Sequence, residues 1–226
     1  MNIRLKYKKT GDICYISHLD VIKLLERIIR RAKLKVGYSE GFNPHPKISF
    51  SPALQLGVQS LSEFVDITLD EEYDLSHILK KMNESCVDGL EFIEGKILEG
   101  KVNSIVAFIT HSKYEILIPK EEIEIKELEE VLNSINTKDE IMLTKKTKKG
   151  KIKEYNMKEF IGNIEITDSN DSIKLTLTVC SGSDKSINPK TVIEHIKNIL
   201  DKDFDFELIK LEAFHIDEKD NKLYLI

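Results

Sequence analysis

Gly37-Tyr38-Ser39-Glu40-Gly41-Phe42-Asn43-Pro44-His45-Pro46-Lys47-Ile48-Ser49-Phe50-Ser51-Pro52 is the stretch where a helix-period pattern gives way to a strand-period one. Its glycines admit positive φ, and Pro44, Pro46 and Pro52 fix φ and bias the residues before them towards extended backbone. The stretch therefore reads as a stiff loop that runs into a strand and presents His45, Lys47, Ser49 and Ser51. The plain alternative is a loop punctuated by ordinary turn formers.

Working backwards from it, Ser17-His18-Leu19-Asp20 reads as a helix start, with Ser17 as cap and Asp20 able to reach back to a free backbone N–H. The helix is expected to run to about Leu34 with a broad buried face of Leu19, Ile22, Leu25, Ile29 and Ala32, widened by Val21, Leu24 and Ile28. Lys23, Arg27, Arg30 and Arg31 fall on its other side. His18, in the first turn, lies where exposed N–H groups favour anions. Before the helix, residues 2–9 alternate as a half-buried strand and Thr10-Gly11-Asp12 ends it.

Working forwards, residues 47–53 and 63–69 read as two strands, Asp74 as the cap of a second helix that buries Ile78, Leu79 and Met82, and residues 87–98 as a further strand. The order β-α-β-β-α-β is that of a ferredoxin-like unit with an antiparallel sheet. Glu99-Gly100-Lys101-Val102-Asn103 is the expected boundary, so the halves 1–100 and 101–226 should separate near Gly100. The second half starts the pattern again: a strand or hairpin over 104–118, an acidic helix over 121–135, a strand-like basic segment over 141–153, a strand over 173–179, a helix opened by Asn188-Pro189, and a last strand over 206–216. The expected fold class is α+β, made of two ferredoxin-like units.

Composition bounds the function. Net charge is −5, yet residues 1–50 hold eleven Lys/Arg against four Asp/Glu, leaving −12 for the rest. A basic quarter on an acidic chain points to an anionic partner such as nucleic acid, although basic helices are also ordinary solvated faces. Lys145, Lys146, Lys148 and Lys149, with Lys151 and Lys153, crowd Gly150 and suggest a basic hairpin suited to a phosphate backbone. No apolar run reaches the roughly 20 residues of a membrane helix. The first residues lack a signal-peptide centre, so a cytoplasmic location is expected. Cys14, Cys86 and Cys180 are three and widely spaced, suggesting reduced thiols rather than a disulfide framework or a Cys-only metal site. No cofactor is expected, and no Walker A, dinucleotide, HExxH or nucleophile-elbow motif is present.

The S-H-L-D element at Ser17–Asp20, the basic helix, the G-F-N-P-H-P run at 41–46 and the lysine segment around Gly150 resemble the radical SAM-linked (radical SAM-associated) protein family of bacteria. The resemblance implies a domain of unknown function that stands alone or is fused behind a B12-binding radical SAM protein. It supplies no catalytic residues, and the closely spaced cysteine triplet of a radical SAM cluster is absent here. Three functions follow as expectations. The first is an accessory or substrate-recognition protein for a radical SAM/B12 partner that holds RNA through His18, Lys23, Arg27, Arg30, Arg31, Tyr38, Ser39, Phe42, Asn43, His45, Lys47, Ser49 and the lysines 145, 146, 148 and 149. The second is an RNA-modifying or RNA-cleaving enzyme using His18, Asp20 and His45. Its likeness to pseudouridine synthases or CRISPR-type endoribonucleases is at fold level only, without the Arg-Thr-Asp motif or the C-terminal glycine-rich loop. The third is a protein–protein adaptor.

Overall fold

The computed structural model describes residues 1–100, 102–146 and 150–217, and the backbone of 223–224. The first half runs β1 (Asn2–Lys9), α1 (His18–Arg31), β2 (Ile48–Phe50), β3 (Gln59–Thr68), α2 (Leu75–Asn83) and β4 (Leu90–Ile97). A four-residue helix, α3 (Ile105–Phe108), follows. The second half runs β5 (His111–Pro119), α4 (Ile125–Thr137), β6 (Met142–Lys146), β7 (Ile152–Asn156), β8 (Glu165–Asp168), β9 (Ser172–Cys180), α5 (Pro189–Leu200), β10 (Glu207–Ile216) and β11 (Leu223–Tyr224). The architecture is mixed α+β with a mostly antiparallel sheet.

The strands of the first half lie in the order β4-β1-β3-β2 and those of the second in the order β10-β5-β9-β8. All pairs within each set are antiparallel. The hydrophobic core divides as the chain does. One cluster is built from Ile3, Leu5, Leu25, Ile28, Val65, Ile67 and Ile78, and the other from Ile116, Leu132, Leu175, Leu177, Val192 and Ile196 with Val58 reaching into it.

The sheet does not divide. β3 pairs in parallel with β10 through Ile209↔Gln59 and Lys210↔Ser60, making one nine-stranded sheet. The strands thus join across the seam while the two main core clusters keep to their own halves. β2 is only three residues long and covers the Val65–Ile67 part of β3, leaving Gln59 and Ser60 free to pair across the seam.

Helix α1 has the predicted Ser17 cap, Ser17 Oγ accepting from the Asp20 N–H, but the Asp20 carboxylate accepts from the Ser17 hydroxyl at 2.6 Å and, among the described residues, not from a backbone N–H. Its buried face is Val21, Leu25, Ile28 and Ile29, and Leu19 is 68% exposed. Leu19 sits about 180° around the helix from Ile28 at roughly 100° per residue, so it falls outside the expected face, which Val21, Leu25, Ile28 and Ile29 otherwise keep. The helix ends at Arg31, short of Leu34, because Lys33 takes φ 58°. Leu34 N–H then donates to Ile29 O and Lys33 N–H to Arg30 O, a Schellman closure without glycine. Three further expectations change. Asp74 stands at the N-cap of α2 without a side-chain cap bond. Residues 105–108 are helical because Ser104 caps them, Oγ accepting from Ala107 N–H. β8, which the sequence did not single out, flanks β9. α5 keeps its predicted opening, with Asn188 accepting from Lys190 N–H and proline in the first turn.

Candidate functional site

The Gly/Pro stretch is a closed hairpin. Ser39 N–H donates to His45 O at 2.8 Å and Lys47 N–H to Gly37 O at 2.7 Å, while His45 N–H donates to Ser39 Oγ at 2.9 Å. Gly37 sits in a close approach: a Cβ there would stand 2.8 Å from Asp70 Oδ1 and 3.3 Å from Thr68 Cγ2, so the Asp70 carboxylate would have to move aside. Gly41, at φ 121°, turns the tip. Beside it Phe42 is fully exposed, at 111% of its reference surface, and Tyr38 is 55% exposed. Asn43 and His45 are exposed on the same hairpin.

Arg27, Arg30 and Arg31 are exposed on α1, and among the described residues none of them has a carboxylate within 4.0 Å. Lys23 has Asp20 at 3.9 Å. The helix and the hairpin meet. Arg30, Lys35, Tyr38, Pro46 and Asp70 line one cleft of about 370 Å³. His18 packs edge-on against Phe50, ring centroids 5.9 Å apart at 84°. Among the described residues no hydrogen bond or ring stacking joins His18 or Asp20 to His45.

Other predicted residues lie elsewhere. Lys47 and Ser49 line a separate cleft of about 510 Å³ with Asn2, Asp66, Thr68 and Asn103. Beside it, Arg4 holds Asp66 in a two-pronged ion pair at 2.7 and 2.9 Å and donates to Asn103 O. Lys145 and Lys146 are exposed on the β6–β7 hairpin, and Lys148 and Lys149 lie outside the described residues.

Sequence reasoning missed the seam between the halves. There Lys210 of β10 pairs with Glu63 of β3, both at least 95% buried. Ser51 Oγ donates to Glu63 Oε2 at 3.0 Å and Ser60 Oγ to Oε1 at 2.7 Å, so the carboxylate is hydrogen-bonded on both oxygens. Ser62 Oγ accepts from Ala213 N–H across the same seam. Burial raises the Tyr7 and Tyr114 phenols well above their ordinary value, and the Glu63 charge adds to it. Burial lowers the Lys9 ammonium, which donates to Cys14 O and Ile16 O, against the opposing pull of Glu63. The signal that could have found this site is a Ser-x-Ser-Glu run inside a strand, polar where a core strand should be apolar.

Lys210 and Tyr114 line a cleft of about 470 Å³ at the seam, together with Lys145, Ile109, Ile187 and Ser183. Among the described residues no group of three or more His, Cys, Asp or Glu is arranged to hold a metal ion. No described helix is long and apolar enough to cross a membrane.

A family model described as an uncharacterized protein conserved in bacteria matches residues 2–189. No curated protein matches the chain. Among solved structures, a chain in the crystal structure of a Cbf5-Nop10-Gar1 complex is similar over 96% of this chain and 50% of its own, at 12% identity and a TM-score of 0.53. A chain in the archaeal box H/ACA sRNP Nop10-Cbf5 complex covers 92% of this chain and 46% of its own, at 11% identity and a TM-score of 0.48. This chain thus spans half the length, or less, of these similar chains, and at such identities the likeness concerns the fold.

Proposed function

The chain belongs to DUF2344, an uncharacterized family conserved in bacteria, and we propose that it is a non-catalytic RNA-binding substrate-recognition protein that works in the cytoplasm with a radical SAM/B12 partner. The observation that carries this reading is the surface where α1 meets the hairpin. Arg30 shares a cleft with Tyr38, where Glu26 and Asp70 also line the wall; Arg27 and Arg31 are exposed on the same helix without ion-pair partners among the described residues, and Phe42 is held out at the tip of the hydrogen-bonded loop. Guanidinium groups track phosphates, and exposed rings on a rigid support stack on bases whatever the sequence. In this reading each half is a ferredoxin-like unit, since β4-β1-β3-β2 and β10-β5-β9-β8 share one order. The partner is inferred from the resemblance of the S-H-L-D and G-F-N-P-H-P elements to the radical SAM-linked family. Radical chemistry then belongs to that partner.

Recognition is favoured over catalysis because His18 rests on Phe50, Asp20 is engaged by Ser17, and His45 stands apart on the hairpin. The test is a pull-down from cells with and without nuclease, paired with an RNA turnover assay. Capture of a radical SAM protein, with RNA in the untreated sample and no turnover by the purified chain, is expected. Turnover that a His45→Ala variant loses would contradict the reading and favour the enzyme.

A further inference from the structure

We infer that the seam cleft is a nucleotide-binding site, with Lys210 and Lys145 taking the phosphate and the wall of Tyr114, Ile109 and Ile187 taking the ring. The site is separate from the α1 surface and does not rest on it. Its volume, about 470 Å³, lies within the range of roughly 300–1,000 Å³ usual for small-molecule sites, and its apolar wall joins the second-half core, through Tyr114 and Ile187, to the small cluster under α3, through Ile109.

Charge decides the ligand class. Among the described residues, two lysines and no carboxylate line the cleft. Glu63 lies behind Lys210 and compensates its charge, while Ser51 and Ser60 satisfy the carboxylate oxygens. A buried ammonium without such a partner would neutralise. Its other N–H donors have no partner among the described residues and remain for an acceptor in the cleft. Lys145 brings a second, exposed ammonium to the rim from β6. A phosphate fits this pair, and the apolar wall with the Tyr114 ring fits a planar base better than a bare anion.

The nucleotide can be free or part of an RNA strand, and calorimetry on the full chain separates the two. The titrants are uridine and adenosine 5′-monophosphate, inorganic phosphate and a short single-stranded RNA. Lys145→Ala removes the rim cation and Ser183→Trp fills the cleft; both side chains are exposed, so the fold is kept. A free-nucleotide site predicts mononucleotide binding that weakens about ten-fold in Lys145→Ala, the worth of one charged hydrogen bond, and is lost in Ser183→Trp. A strand site predicts that, with the α1 surface disabled by Arg27→Glu/Arg30→Glu, only the RNA oligomer still binds, with the same response to both variants. Either result supports the inference. Binding of all titrants that is indifferent to both variants, or phosphate binding as tight as the mononucleotides, would overturn it, as would no binding of any titrant. Arg27→Glu/Arg30→Glu should leave mononucleotide binding unchanged, so failure of this site and failure of the α1 reading are told apart.

Discussion

Phe42 contributes no burial to the fold and stands fully in water at the tip of a closed hairpin. Phe42→Ala should therefore change stability by less than roughly 0.5 kcal/mol, yet weaken binding of single-stranded RNA by about 1–3 kcal/mol, as loss of one stacking platform does. Chemical denaturation and a binding titration check the two halves of that statement. Lys33 is a strained residue: at φ 58° it closes α1 where glycine is preferred, so Lys33→Gly should raise stability by roughly 0.5 kcal/mol. His195 titrates low, first because burial disfavours its charged form and then because Lys138 is near. Its folded-state value lies below the unfolded one, so the stability it contributes is complete above about pH 6.5 and is lost as pH falls through the folded value. An NMR titration should place its midpoint below that of an unfolded histidine, and a midpoint at or above it would contradict the burial argument.

At the scale of elements, the join between β3 and β10 is short in backbone pairing and rich in side-chain chemistry. Removing one member of a buried ion pair strands the other charge. Glu63→Ala or Lys210→Ala should each cost about 3–5 kcal/mol, while Glu63→Leu/Lys210→Met together should cost much less than the sum. Denaturant unfolding of the three variants measures this, and additive losses would mean that the two groups are not coupled. The same seam explains why the halves share one sheet: Phe64, Ile105, Ile109 and Ala213 form a third apolar cluster that α3 closes over it. Helix α3 is therefore anchored in the core by Ile105 and by Ile109 just beyond it.

For the whole molecule, what was legible in the sequence was local. The alternation of β1 and β9, the Ser17 cap and the Asn188-Pro189 opening are each encoded within a few residues, and each appears in the structure. The nearness of Arg30 to Tyr38 was also legible, since one helix leads straight into the hairpin. The Glu63–Lys210 pair was not, because its partners come from opposite halves and only the sheet order unites them. Leu19 misled because apolar character does not fix helix phase in the first turn. Likewise Lys47 and Ser49 line a different cleft from their neighbour Pro46, because successive side chains of extended backbone alternate between its two faces.

The central claim, that the basic row of α1 holds RNA by its phosphates, is tested most directly by binding titrations over a range of salt on the wild type and on Arg27→Glu/Arg30→Glu. Both arginines lie opposite the buried face, so the variant should fold normally. It should bind every RNA sequence more weakly and with a shallower log–log salt dependence, by about 0.7 to 0.9 of a unit for each phosphate no longer neutralised. Equal slopes for the two proteins would contradict the claim and leave the row as a solvated face.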